Sequence, residues 1–243
     1  MKKFGFVTTL AVAMAAMTVR AQYLELNLNS DCNQDIQTFT DGSNYALGGT
    51  QFSVNGVPFE LGLLNNNPTT TGVIMTSAGN QSYTFIVPSG TYATSLYTLM
   101  NTAWGEPGQN EGSIVVTGSH GETATLDLTE GVNIRDHYNG YFVNTLSDPA
   151  VVSTYFVNQS VNPSGSVRLD RQQLVLPASF NGDTVTSITF DGADNDEPNG
   201  DPFLAAMTLA VVPEPTPYLM FGLGALVLAF GRWRASRSRG TRQ

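Results

Sequence analysis

Gln51-Phe52-Ser53-Val54-Asn55-Gly56-Val57-Pro58-Phe59-Glu60-Leu61 is the most legible stretch of the chain. Two short runs rich in Phe and Val flank Asn-Gly, a pair that tolerates positive φ at both central positions of a two-residue turn. The stretch reads as a hairpin with strands at Gln51–Val54 and Val57–Leu61. The same grammar extends in both directions. Leu24, Leu26 and Leu28 alternate with polar residues, as do Tyr83, Phe85 and Val87, and Ala124, Leu126 and Leu128. Val185, Ile188 and Phe190 mark another strand. Shorter ones are expected at Val73–Thr76, Gly112–Thr117, Val151–Val157 and Gln172–Leu176, and Phe203–Val211 reads as a buried terminal strand. Asp41-Gly42, Ser89-Gly90, His120-Gly121 and Asn181-Gly182 punctuate the runs. Only Ser95–Trp104 has some helical character. About ten strands without helical interludes predict an all-β body, a two-sheet sandwich or jelly roll.

Charge is distributed in three blocks. The chain of 243 residues has a formal charge of −9, but Lys2, Lys3 and Arg20 lie at one end and Arg232, Arg234, Arg237, Arg239 and Arg242 at the other. Residues 22–211 hold three cations, Arg135, Arg168 and Arg171, against 19 carboxylates, a net −16. Such a body repels phosphate backbones, which argues against nucleic-acid binding. Charged residues make up only 13% of the chain, below the usual quarter, and Gly, Asn, Thr and Ser fill the gap. Cys32 is the single cysteine, so neither an internal disulfide nor a cysteine-based zinc site is available. It reads as an ordinary buried or partly buried thiol.

The two basic ends look like addresses. Lys2 and Lys3 precede an apolar run from Phe4 to Val19, and Val19-Arg20-Ala21 ends in a small residue. This is the layout of a signal peptide over residues 1–21, cleaved after Ala21. The other end runs Val212-Pro213-Glu214-Pro215-Thr216-Pro217, then the apolar Tyr218–Phe230, then Gly231-Arg232-Trp233-Arg234 and a basic tail. The prolines stiffen a linker and stop a preceding strand. A short membrane helix over about 217–231, with Trp233 and the arginines at the headgroups, leaves the tail cytoplasmic and the acidic body outside.

This ending resembles the PEP-CTERM sorting signal of Gram-negative bacteria, in which a Pro-Glu-Pro motif, a short transmembrane segment and an arginine cluster follow in that order. The resemblance implies that Val212, Pro213, Glu214 and Pro215 form a processing motif for an exosortase and that Arg232, Trp233 and Arg234 anchor the tail. It also implies export to the cell surface or an exopolysaccharide-rich matrix, after signal peptidase and the secretion machinery have acted. The body, over about residues 36–210, is similar to galactose-binding-like β-sandwiches, which are common among carbohydrate-binding modules. The likeness rests on Phe52–Phe59, on Ser95–Met100 with Ala103-Trp104 as a central buried strand, on Gly131–Asp136, and on Pro202–Ala206 at the start of the closing strand.

Three candidate sites stand beside plainer readings. Asp191, Asp194, Asp196 and Asp201 lie in a Gly- and Asn-containing loop able to offer oxygens to Ca²⁺, though without EF-hand spacing. The alternative is a solvated acidic loop. Arg135, Asp136, Tyr138 and Tyr141 combine aromatic faces with planar polar groups, as a sugar site needs. Alternatively, Arg135 and Asp136 form an ion pair that fixes a loop. Trp104 is either an exposed stacking platform or core. With so few cations, each arginine, including those of Arg168-Leu169-Asp170-Arg171, is expected to meet a carboxylate. His120 and His137 are too isolated for a metal or triad claim. No Gly-x-Ser-x-Gly elbow, His-Glu-x-x-His or phosphate-binding glycine loop occurs.

The expectation from sequence is thus a non-enzymatic exported surface or matrix protein in three parts: signal peptide 1–21, β-sandwich 22–211 and sorting signal 212–243. Its body contacts polysaccharide or matrix partners, with Ca²⁺ as the one cofactor in view. The rival expectation is a secreted polysaccharide hydrolase or lyase working through dispersed carboxylates.

Overall fold

A computed structural model of the chain describes residues 22–39, 45–76, 81–138, 143, 145–148, 153–160, 166–193 and 200–212. The predicted signal segment, the Pro-Glu-Pro motif beyond Val212, the membrane helix and the arginine tail lie outside the described residues, as do Tyr141, Asp194 and Asp196. No helix among the described residues is long and apolar enough to cross a membrane.

The described chain is all-β, as expected. Its strands are β1 (Gln22–Leu26), β2 (Gln34–Asp35), β3 (Gln51–Val54), β4 (Val57–Glu60), β5 (Gly72–Met75), β6 (Gln81–Ile86), β7 (Ala93–Ala103), β8 (Asn110–Gly118), β9 (Thr123–Thr129), β10 (Ser153–Ser160), β11 (Ser166–Val175), β12 (Val185–Gly192) and β13 (Asp201–Val211). Every strand expected from alternation is present. A seven-stranded sheet runs β10-β11-β7-β13-β5-β2, with β1 also on β13, and a four-stranded sheet runs β6-β12-β8-β9. All strand pairs are antiparallel.

The Asn-Gly hairpin forms in the predicted register, Val54 opposite Val57 and Gln51 opposite Glu60. Asn55 and Gly56 take φ of 50° and 80°, the doubly positive geometry whose twist matches the flanking strands. The hairpin caps one face of the large sheet. There Val54, Val57, Phe59 and Leu61 pack with Leu99, Phe203, Ala205 and Ala206, and the Thr208 hydroxyl donates to Pro58 O at 2.7 Å. The opposite face meets the four-stranded sheet. Leu96, Met100, Leu204, Met207 and Leu209 pack there with Ile114, Val116, Ile188 and Phe190.

Strands β7 and β13 are therefore covered on both faces, which explains one misreading. Ser95–Trp104 is not helical. It forms most of β7, with apolar residues pointing both ways. Leu96, Leu99, Met100 and Ala103 fall at i, i+3, i+4 and i+7, a helical spacing, because a strand buried on both faces need not alternate. In β13 a register shift between Leu204 and Ala206 inserts an extra residue opposite β7. Phe203 and Leu204 face opposite layers, whereas Ala205 and Ala206 both join the hairpin side, so the bulge also breaks the alternation. Cys32 is a buried free thiol, as expected, and burial pushes its pKa up to about 12.

Two-sided burial of β7 is directly testable. Leu96→Ala and Leu99→Ala, which open opposite layers, are each expected to cost about 2–5 kcal/mol in urea unfolding. A cost below about 0.5 kcal/mol at either position is the surface-site value and would contradict the layering.

Candidate functional site

The segment Asn133–Tyr138 crosses the end of the large sheet. Its backbone bridges Thr102 at the end of β7 through Asp136, and Val167 at the start of β11 through Tyr138. This brings four of the predicted ligand residues, Trp104, Arg135, Asp136 and Tyr138, into one neighbourhood.

Arg135 does not pair with Asp136. Its Nε and Nη2 donate to Asp170 Oδ2 and Oδ1 at 2.7 and 3.0 Å, a forked pairing across 35 positions of sequence. Asp170 is fully enclosed and also accepts from Asn101 Nδ2 at 2.9 Å. Asp136, equally enclosed, accepts from the Trp104 and Tyr138 N–H groups at 2.7 and 2.6 Å. Asp136 is thus a loop anchor, the plainer of the two roles the sequence offered it, but it acts through these N–H groups and not by pairing with Arg135. Burial pushes its pKa up to about 7, against the pull of those two N–H donors and of Arg168.

The expectation that each arginine meets a carboxylate holds for Arg135 and, more loosely, for Arg168, both at Asp170. Arg168 is 1% exposed and gives Nε and Nη2 to the Asp136 carbonyl at 3.1 and 2.7 Å, while the Asp170 carboxylate lies 3.8 Å away. Arg171 donates to Val54 O at 3.1 Å and sits 5.0 Å above the Tyr97 ring. A guanidinium is planar and weakly hydrated, so carbonyls and an aromatic face can replace a carboxylate. These contacts tie the hairpin and the crossing segment to β11.

His137 shares this interior. Its Nδ1 lies 2.6 Å from the Tyr45 hydroxyl, and its ring meets Tyr138 and, edge-on, Phe203. Burial together with the nearby Arg168 charge lowers its pKa to about 3. Trp104, by contrast, is 46% exposed, which settles the platform-or-core alternative in favour of exposure. It holds a left-handed φ of 66° ahead of Gly105 at 104°, so the backbone turns sharply there.

Two other groups of ionisable residues were less visible in the sequence. At the β8–β9 turn, ligand atoms of His120, Glu122 and Asp183 lie within 4.8 Å of one another. Asp183 Oδ1 already accepts from Ser119 N, the Ser119 hydroxyl, His120 Nδ1 and Thr184 N, and hydrogen bonding from the Ser119, Glu122 and His120 side chains and the His120 N–H lowers its pKa. Hydrogen bonding accounts for that cluster as a turn lock. Asp183 is 63 positions from His120, which hid it from spacing arguments. The second group is Glu111 and Glu130, both enclosed, with pKa values pushed by burial up to about 7 and about 9. Of the acidic-loop candidates, Asp191 ends up on β12 and Asp201 at the start of β13.

No protein-family model matches the chain, and neither a curated protein nor a solved structure gives a significant match.

The pKa of His137 makes a signed prediction. The folded ring stays neutral down to about pH 3, whereas an unfolded His takes a proton near 6.5. Its share of stability is complete above pH 6.5 and is lost as pH falls toward 3, by up to about 1.4 kcal/mol per pH unit. His137→Gln should flatten the loss between pH 6.5 and 4, measured by urea unfolding. An unchanged slope would assign acid sensitivity elsewhere.

Proposed function

We propose that this is an exported surface or matrix protein whose body, a β-sandwich of the jelly-roll kind, binds polysaccharide without catalysis, and whose C-terminal segment is a sorting signal removed by an exosortase. The observation that carries the reading is the pairing of Gln22 with Val211 across β1 and β13. Gln22, which follows the proposed cleavage point after Ala21, lies opposite Val211, which precedes the linker that starts at Val212. The residues next to both proposed processing segments therefore lie together at one end of the β1–β13 pair. Val212 is 47% exposed and gives its N–H to Tyr92 O at 2.8 Å, so the chain is accessible at the first residue of the proposed linker.

The acidic, lysine-free composition supports an exterior location rather than a nucleic-acid partner. Two antiparallel sheets sharing one apolar core support the sandwich reading. Trp104 supports the sugar reading, since an exposed indole gives a flat face for stacking beside polar backbone. Membrane attachment through residues 217–231 precedes processing in this scheme.

One experiment tests both halves. The chain is produced in an exosortase-bearing Gram-negative host, and the mature form is analysed by mass spectrometry and on a polysaccharide array. The expected product begins at Gln22 and has lost the segment after the Pro-Glu-Pro motif. It binds at least one acidic or neutral exopolysaccharide, with Trp104→Ala weakening that binding about tenfold or more. A product retaining residues 218–243 would overturn the sorting half, and absence of binding the polysaccharide half. New reducing ends or unsaturated products would make the body an enzyme instead.

A further inference from the structure

Glu111 is the second residue of β8, and Glu130 follows the last residue of β9. The ladder pairs Asn110 with Thr129 and shifts register across Glu111, so the two glutamates lie diagonally across it, near enough for their charges to interact. The Glu130 backbone is fixed at both ends, with its N–H donating to Gln109 O and its carbonyl accepting from Gly108 N. Both side chains are shut off from solvent, at 0% and 1% exposure. Neither oxygen of Glu111 has a hydrogen-bond partner of normal geometry, nor has Oε1 of Glu130. Glu130 Oε2 accepts from the Thr102 hydroxyl at 2.9 Å. The Gly200 N–H approaches Glu111 closely enough to favour its charged form, and the charges of Glu111 and Glu130, and of Glu111 and Asp201, repel.

Other oxygen donors border the same space. The Gly105 Cα lies against the Glu130 carboxylate, so closely that a side chain there would begin about 3.0 Å from it, and Gly200 packs on Gly105 and the Trp104 carbonyl. The left-handed turn at Trp104-Gly105 is what brings this backbone in. Enclosing an unpartnered carboxylate costs several kcal/mol, and enclosing two that repel costs more. A fold that retains the arrangement satisfies it with protons or with a cation.

We propose that Glu111 and Glu130 are the carboxylate ligands of a buried calcium ion, with the Trp104 carbonyl near it. The donors are all hard oxygens, with no nitrogen or sulfur, which suits Ca²⁺ or Mg²⁺ over transition metals. Mg²⁺ sheds water reluctantly, whereas these carboxylates are enclosed and their surroundings irregular, as Ca²⁺ accepts. Neither glutamate belongs to the acidic run in which the sequence suggested calcium. The inference does not depend on polysaccharide binding or on sorting.

The full chain, purified in detergent, is unfolded thermally in EDTA and in CaCl₂. Calcium about 100-fold above its Kd is expected to raise Tm by roughly 5–10 °C. Glu111→Gln and Glu130→Gln keep the shape and remove the buried charge. Each should fold with a Tm in EDTA no lower than the parent's, and each should lose most of the calcium shift. Glu122→Gln, in the turn cluster, should keep the whole shift. Identical Tm values in EDTA and CaCl₂ for the parent would overturn the proposal. So would a full shift in both Gln variants, or its loss in Glu122→Gln alone.

Discussion

Strand β13 has no solvent face, and the rest of the fold is arranged around that constraint. Both edges are also taken, one by β7 and the other by β5 and then β1. A strand in this position must satisfy every backbone group through its neighbours and every side chain through packing. The four-stranded sheet covers one face and the Asn-Gly hairpin the other. The hairpin is thus a lid on the large sheet, and its turn chemistry matters to residues 150 positions away, as the bond from Thr208 to Pro58 shows.

Where apolar cover ends, the large sheet continues into a polar interior. Asp170, Arg135, Arg168, Asp136 and Asn101 hold one another and the backbone of the crossing segment with little recourse to water. The body's arginines are buried or half-buried, but so are the carboxylates Glu111, Glu130, Asp136, Asp170 and Asp183, so the exterior keeps most of the acidic charge and little of the basic. Buried networks of this sort add less to stability than to uniqueness, because each alternative packing strands a charge.

Much of the architecture was readable in advance, for identifiable reasons. The 51–61 hairpin was legible because Asn-Gly specifies a turn locally. β1, β6, β9 and β12 were legible because one face is drier than the other. β7 was misread because both of its faces are dry, and Ala205-Ala206 concealed a bulge that only the partner strand reveals. The sites were less accessible. Arg135 and Asp136 are adjacent and opposite in charge, yet each is used by a distant group. Glu111 and Glu130 carry no spacing motif at all. Their meeting depends on the length of the β8–β9 hairpin, which a one-dimensional scan does not weigh.

The pairing of Gln22 with Val211 also has a mechanical side. Any load transmitted through the segment after Val211 enters the molecule along the axis of β13, its most thoroughly bonded strand. The hydrogen bonds to β7 and β1 lie across that axis and are strained together, in shear, rather than one at a time as in peeling an edge strand. A body held by that end is gripped by its centre, so tension at the tether spreads over the core before any strand can be drawn out.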